Sequence, residues 1–209
     1  MGEVTRLRAR DAPERLGFRL FGTFSVKRLS DEGDLTPRTR KARALLAYLL
    51  IERGPVDRDR LAGLLWSERG EAQARASLRQ CLFELRESSP ELGAMLRSER
   101  RQVALDAGGA LIDVESMLAL AARQDVEGLA SCFAAAGTTL LEDLDGADAA
   151  FDQWLRTARA SRVEALLEAP LRLGQVEAAE LDQAPELGAD LGVAGLGAGA
   201  AQEEALQAL

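Results

Sequence analysis

Residues 56–87 read VDRDRLAGLLWSERGEAQARASLRQCLFELRE and contain two apolar patterns with the spacing of an α-helix. Asp57 precedes the first pattern, and an Asp at such a position can accept a hydrogen bond from the free amides of a first helical turn. We therefore predict one helix over residues 58–67 and a second over residues 72–87, with a short turn at residues 68–71 between them.

The second predicted helix has one apolar and one polar face. Its apolar positions form a single stripe that suits a protein core, and they are Ala74, Leu78, Cys81, Leu82 and Leu85. Its polar face carries Gln73, Arg75, Arg79, Gln80 and Arg86. Either this face is merely solvated, or it binds an anionic partner such as DNA, because an α-helix fits the major groove.

The sequence on both sides of this helical pair predicts further elements. Residues 40–53 form a helix that ends at a Gly-Pro pair, and the Phe-rich residues 18–27 form a strand. Residues 95–97 and 102–105 form two short strands that flank a basic turn, as in a hairpin. The order strand, helix, helix, helix, hairpin is typical of a winged helix-turn-helix domain, in which the third helix enters the DNA groove.

The net charge of −8 is the sum of two halves of the chain that carry opposite net charges. Residues 1–110 carry a net charge of +5, whereas residues 111–209 carry −13. Between residues 36 and 101, 14 basic residues stand against 9 acidic ones. The whole-chain charge speaks against a nucleic-acid binder, but the first half has the basic character that phosphate binding requires.

The second half of the chain is rich in Ala, Leu and acidic residues. It predicts three helices, over residues 114–123, 126–136 and 151–169. The helical pattern weakens after Pro170, and the Gly/Ala-rich residues 188–201 are typical of a linker or a weakly ordered tail.

We therefore predict a mainly α protein with four segments. Residues 1–16 form a flexible leader, and residues 17–110 form the winged helix-turn-helix domain of mixed α and β structure. Residues 111–170 form an all-α helical domain, and residues 171–209 form a degenerate, Gly/Ala-rich tail.

Composition excludes several catalytic and metal-binding functions. The sequence contains no His, which excludes His triads, His general bases and His metal ligands. Cys81 and Cys132 are too few and too far apart for a zinc site, and packing is their expected role. The acidic residues within 142–152 lack the spacing of a calcium-binding loop, so we expect an exposed loop and helix start there. We predict no catalytic residues, no cofactor and no metal.

The predicted location follows from two further patterns. No run of 18 apolar residues occurs, so no membrane span is expected. The first 17 residues are charged throughout and lack the apolar core of a signal peptide. We therefore predict a cytoplasmic protein.

Two stretches resemble one bacterial family in the expected order. VDRDRLAGLLW, followed by ARASLRQ and LR, resembles the OmpR-type winged helix of SARP-like regulators, the family named for antibiotic regulatory proteins. IDVESMLALAARQDVEGL and LLEDLDGADAAFDQWLRTARASRVEALLEA are similar to the bacterial transcriptional activator domain (BTAD) that follows it in that family. The resemblance covers about residues 17–170 and implies that the second domain consists of tetratricopeptide-like (TPR-like) helical pairs. It identifies the chain as a short or truncated member.

The resemblance and the basic hairpin together give nine expected DNA-binding residues. They are Trp66, Arg75, Ser77, Arg79, Gln80, Arg86, Arg97, Arg100 and Arg101. Trp66 ends the first helix of the pair and would donate its indole N–H to a phosphate. Two positions depart from the family pattern, since Cys81 stands where His is frequent and Glu84 where a basic residue is common.

We predict a DNA-binding transcriptional regulator with its recognition helix in the major groove and its hairpin on the DNA backbone. The expected partners are double-stranded DNA with promoter repeats, RNA polymerase, and a second copy of the chain on the DNA. The alternative is a protein-interaction module, a TPR-like scaffold whose winged helix does not bind DNA. An enzyme is not predicted, because no catalytic constellation can be assembled from these residues.

Overall fold

The described part of the chain, residues 15–182 of a computed structural model, is mainly helical with two small sheets. Its helices are α1 (Arg40–Glu52), α2 (Arg58–Leu65), α3 (Glu71–Ser88), α4 (Pro90–Met95), α5 (Asp113–Ala122), α6 (Val126–Ala136) and α7 (Ala149–Asp182). Its strands are β1 (Leu16–Arg19), β2 (Ser25–Arg28), β3 (Val56–Asp57), β4 (Leu96–Ser98), β5 (Gln102–Leu105) and β6 (Leu111–Ile112). Between residues 15 and 182, no helix combines the length and apolar character needed to cross a membrane.

The single strand predicted over residues 18–27 is wrong, because this stretch folds back on itself as β1 and β2. The chain turns at Gly22, which has a φ of +72° and lies so close to the Ala136 backbone that a Cβ would clash with it. β1 pairs antiparallel with β2 and parallel with β6, and Phe18 lies opposite both Val26 and Ile112.

The helical pair predicted from residues 56–87 forms with small shifts at its ends. Asp57 caps α2 as predicted, since its carboxylate accepts a hydrogen bond from the Asp59 amide. α2 ends at Leu65, two residues before the predicted end, and α3 is one residue longer at each end than predicted. The predicted apolar stripe of α3 is buried throughout: Ala74, Leu78, Cys81, Leu82 and Leu85.

The predicted hairpin is present as β4 and β5, which pair antiparallel. β3 adds to the other edge of β5, so the second sheet has the order β3-β5-β4. The apolar pattern does not predict α4, which directly precedes the hairpin. Ser89 caps this helix by accepting the Leu92 amide, and Pro90 stands at its first position, where the missing N–H costs nothing.

The helices of the second half follow the prediction up to residue 169. α5 and α6 lie within one residue of the predicted bounds, but α7 begins two residues early and continues through Pro170 to Asp182. The expected failure of the helix at Pro170 is therefore wrong. Proline removes one intrahelical N–H donor, but the surrounding Ala, Leu, Glu and Gln residues favour a helix strongly enough to carry it through. Residues 1–14 of the predicted leader lie outside the described residues. The Gly/Ala-rich stretch 188–201 lies wholly outside them.

One hydrophobic core extends across the domain boundary predicted at residue 110. It joins side chains of β1 and α1 to those of α5 and α7, including Phe18, Leu45, Met117 and Phe151, all at most 2% exposed. Within the described part of the chain, residues 15–175 accordingly form one compact unit, and residues 176–182 belong to a second.

A half-buried carboxylate completes the junction between β1 and α5. Asp113 accepts the backbone N–H groups of Leu20, Phe21 and Val114 at 2.8–3.0 Å. Burial raises the pKa of this carboxyl, and the three N–H donors offset the effect of burial only in part.

Candidate nucleic-acid interface

The outer face of α3 is the centre of the candidate interface. Burial of the apolar stripe against α1, α2 and α4 fixes the rotation of the helix, so the opposite side chains are exposed. The exposed residues are Glu71, Ala72, Gln73, Arg75, Ala76, Arg79, Gln80, Phe83, Glu84, Arg86 and Glu87. A helix with one free face beside a hairpin has the shape that a nucleic-acid groove can accept.

A groove of about 1010 Å³ lies between α3, the start of α2 and the turn of the β4–β5 hairpin. Four predicted DNA-binding residues line it together: Arg75, Arg79, Arg100 and Arg101. The groove is not uniformly basic, since Asp57, Asp59 and Glu99 also line it. The folding of the chain thus brings arginines from two separate segments to one surface.

Arg58 holds the hairpin turn in place beside α2. Its backbone N–H donates to the Arg101 carbonyl at 2.8 Å, and its Nε donates to the Glu99 carbonyl at 2.9 Å. Its guanidinium also contacts the Ser98 hydroxyl. No local pattern in the sequence predicts this role of Arg58, because its partners lie about 40 residues further along the chain.

Arg75 is held by two carboxylates within the groove. It donates from Nε and Nη2 to Asp59 at 2.5 and 2.8 Å, and from Nη2 to Glu71 at 2.5 Å. The Arg75 hydrogen bonds lower the pKa of the Asp59 carboxyl, which therefore stays ionised well below neutral pH. Arg79, by contrast, makes no ion pair with any residue between 15 and 168. Of the two arginines, Arg79 is the more available for a phosphate or a base.

Trp66, Ser77 and Gln80 lie on the other side of α3, around a shallow depression of about 400 Å³. Trp66 is only 7% exposed and packs with the Lys41 ammonium 5.8 Å from its ring centroid. The Ser77 hydroxyl donates to the Gln73 carbonyl, and the Gln80 amide donates to Glu84 at 2.9 Å. These three residues therefore form a second group, separated from the groove by the width of the helix.

The two remaining predicted residues, Arg86 and Arg97, line neither depression. Arg97 extends from β4 and pairs with Asp106 at 2.5 Å. Arg86 is exposed in the last turn of α3, where a positive charge suits the helix dipole.

Within the acidic stretch 142–152, Glu142 and Asp145 are exposed as the sequence predicts, but Asp148 is not. Asp148 has a side chain that is 6% exposed and reaches the turn between α2 and α3. Its carboxylate accepts the Ser67 hydroxyl at 2.5 Å, the Ser67 amide at 3.2 Å and the Lys41 ammonium at 2.9 Å. Burial alone would raise the pKa of this carboxyl, but these hydrogen bonds outweigh burial and lower the pKa. Asp148 thus fixes the turn from which α3 departs.

Replacing Asp148 with asparagine should loosen this turn. The amide keeps one oxygen but loses the charge that strengthens the hydrogen bonds to Ser67 and Lys41. The free energy that holds the turn in place should therefore fall by about 1 kcal/mol. We expect the Ser67 backbone amide to exchange its hydrogen about fivefold faster, as measured by NMR. Asp152→Asn is the control, because Asp152 accepts the Gly146 amide and does not contact the turn. Unchanged exchange at Ser67 would contradict a fixing role for Asp148.

Metal and thiol chemistry find no support at this surface. Within the described part of the chain, no group of three or more Cys, Asp or Glu side chains is arranged to hold a metal ion. Burial raises the pKa of the Cys81 thiol to about 12, so this thiol stays protonated and behaves as a packing residue.

The sequence matches no family model and none of the curated proteins. Among solved structures, the chain is similar to Mycobacterium tuberculosis EmbR, whose structure was determined in complex with a low-affinity phosphopeptide. The TM-score is 0.54 at 25% sequence identity, and the alignment covers 81% of this chain and 49% of the EmbR chain. The chain thus spans about half the length of that relative. EmbR is a SARP-family regulator, and the likeness supports a SARP-like fold for this chain.

Proposed function

We propose that the chain is a DNA-binding transcriptional regulator that reads promoter repeats with α3. The observation that carries the proposal is the shared groove, where Arg75 and Arg79 of α3 lie together with Arg100 and Arg101 of the hairpin turn. Arginines on a free helix face and on a neighbouring hairpin suit the base edges and the phosphates of one DNA duplex. The similarity to EmbR, a transcriptional regulator, supports a regulatory and non-enzymatic role.

In this proposal, residues 17–110 are an OmpR-type winged helix, with α3 as recognition helix and the β4–β5 hairpin as wing. Residues 111–170 are a TPR-like activator domain, and the contact of α5 with α6 across a three-residue connection supports a helical pair there. This second domain would mediate contacts with RNA polymerase or with a second copy of the chain, in the cytoplasm.

DNA binding is tested in two steps. Selection from a random pool of duplex DNA first yields the preferred site, and fluorescence anisotropy then gives the dissociation constant across salt concentrations. We expect the association constant to fall as salt rises, with a slope on logarithmic axes of about −0.9 per phosphate contacted. Absence of salt-dependent binding to any duplex would reject the proposal.

Arg79→Ala is the sharpest variant for this assay. Arg79 has no ion pair to break within the described chain, so its loss acts on DNA alone, and we expect affinity to fall about tenfold. Arg123→Ala is the matched control, because Arg123 is equally exposed but ends α5, away from the groove residues. We expect less than about a twofold change there. Equal effects of the two variants would refute α3 as the recognition helix.

A protein-interaction module is the second candidate, and the surface of α6 favours it. In α6 no side chain is fully buried, and Val126 is 63% exposed. An apolar helix face of this kind suits a partner helix. A partner captured by the chain after nuclease treatment, together with absent DNA binding, would favour this candidate over the first.

A further inference from the structure

Phe83 lies exposed in the middle of the outer face of α3. Its side chain is 58% exposed, among the most exposed of the large apolar side chains between residues 15 and 168. The 3.6-residue period places Phe83 directly opposite the buried stripe formed by Leu78, Leu82 and their neighbours. With the exposed Ala72 and Ala76 on the same side of the helix, Phe83 forms an apolar strip, and such a strip can mark a contact site.

The neighbours of Phe83 indicate what it contacts. Arg79 precedes it by one turn and Arg86 follows it by nearly one turn, so the ring stands between two cations. Ala72 and Ala76 lie on the same line of the helix towards its start, and both are exposed. Two small residues allow the backbone to approach a surface closely, and the flanking arginines suit an anionic surface, although Glu84 and Glu87 are also exposed beside the ring.

The major groove of DNA contains one apolar group among its base edges. This group is the 5-methyl of thymine, and all other functional groups there are hydrogen-bond donors or acceptors. An aromatic ring cannot form hydrogen bonds with the polar edges, but it can cover a methyl group and remove it from water. A polar side chain in place of Phe83 would have no such preference.

We propose that Phe83 reads the 5-methyl group of thymine, so that the preferred DNA site carries a T·A pair opposite the second half of α3. This inference rests on the proposed function, since it requires α3 to lie in the major groove. Arg79 and Arg86 then supply phosphate or guanine contacts on either side, and Phe83 supplies discrimination that charge alone cannot give.

Removing single methyl groups from the DNA tests the proposed contact of Phe83 with thymine directly. In the selected site, each thymine is replaced in turn by deoxyuridine, which lacks only the methyl group. We expect one such replacement, or one per repeat, to weaken binding by about three- to fivefold, as for one buried methyl group. At the same position, a C·G pair should bind weakly, and a 5-methylcytosine·G pair should recover part of the affinity.

Phe83→Ala provides the protein side of the test. We expect it to bind thymine and deoxyuridine sites equally and to gain nothing from 5-methylcytosine, while its thermal unfolding and salt slope stay those of the wild type. Phe83→Leu should keep part of the discrimination, because leucine still covers a methyl group.

The outcomes separate this inference from the proposed function. Salt-dependent binding with equal affinity for thymine and deoxyuridine at every position would overturn the role of Phe83 and leave DNA binding intact. Discrimination that persists in Phe83→Ala would also overturn it. Absence of binding to any duplex would reject both proposals, and Phe83 would then serve a protein partner.

Discussion

Replacing Phe151 with alanine should lower the free energy of unfolding by about 3–5 kcal/mol. Phe151 is 0% exposed, packs 5.1 Å from the Trp154 ring, and belongs to the core that β1, α1 and α7 share. Removing the ring leaves a cavity that these elements cannot fill without moving. Because the core is continuous, we expect the loss of stability to appear in α1 as well as in α7.

Urea denaturation followed by circular dichroism measures the effect, and hydrogen exchange locates it. We expect one transition, with faster exchange in α1 as well as in α7. Val163→Ala is the control, because Val163 lies on the same helix but is 50% exposed, and it should change stability by less than about 0.5 kcal/mol. Faster exchange confined to α7 would contradict a shared core.

Replacing Asp113 with alanine should lower the free energy of unfolding by about 2–4 kcal/mol. The amides of Leu20 and Phe21 have no other acceptor among the described contacts, and each orphaned donor costs about 1–3 kcal/mol. Asp113→Asn keeps one acceptor oxygen, so its stability should lie between those of Asp113→Ala and the wild type. A loss below about 0.5 kcal/mol in Asp113→Ala would show that water replaces the carboxylate.

The pH dependence of this pair of variants has a definite sign. Burial raises the pKa of Asp113 in the folded state above its unfolded value near 4, so the folded state binds more protons in that range. The wild type should therefore lose stability relative to Asp113→Asn as pH rises through the folded pKa. The difference in the urea midpoint between the two proteins, measured from pH 3.5 to pH 7, checks this slope.

The elements that the sequence predicts well are those determined by local contacts. α1, α2 and α3 follow from apolar period and capping residues, all within a few positions of one another. α4 was also readable, because Ser89 and Pro90 form a standard helix start, but six residues are too few to show a period. The split of the first strand depends on the approach of Ala136 to Gly22, and no local pattern reveals a contact across more than 100 residues.

The candidate site divides in the same way. The outer face of α3, including the exposure of Phe83, can be read from the helical period alone. The sequence also contains the Glu71–Arg75 pair at the i, i+4 spacing of an ion pair. The hydrogen bond that Arg75 donates to Asp59 and the contact of Asp148 with Ser67 depend on tertiary packing. The sequence therefore predicts Asp148 as solvated, although its carboxylate binds Ser67 and Lys41.

The parallel pairing of β1 with β6 has a consequence for synthesis of the protein. β1 and the adjoining Leu20 and Phe21 are among the first described segments to leave the ribosome. Their contacts with β6, Asp113 and Leu140 form only about 90–120 residues later. At about 5–20 residues per second, β1 waits roughly 5–25 seconds for them. During this interval Phe18 and Phe21 lack their final partners, so the nascent chain exposes two aromatic rings that the folded protein buries.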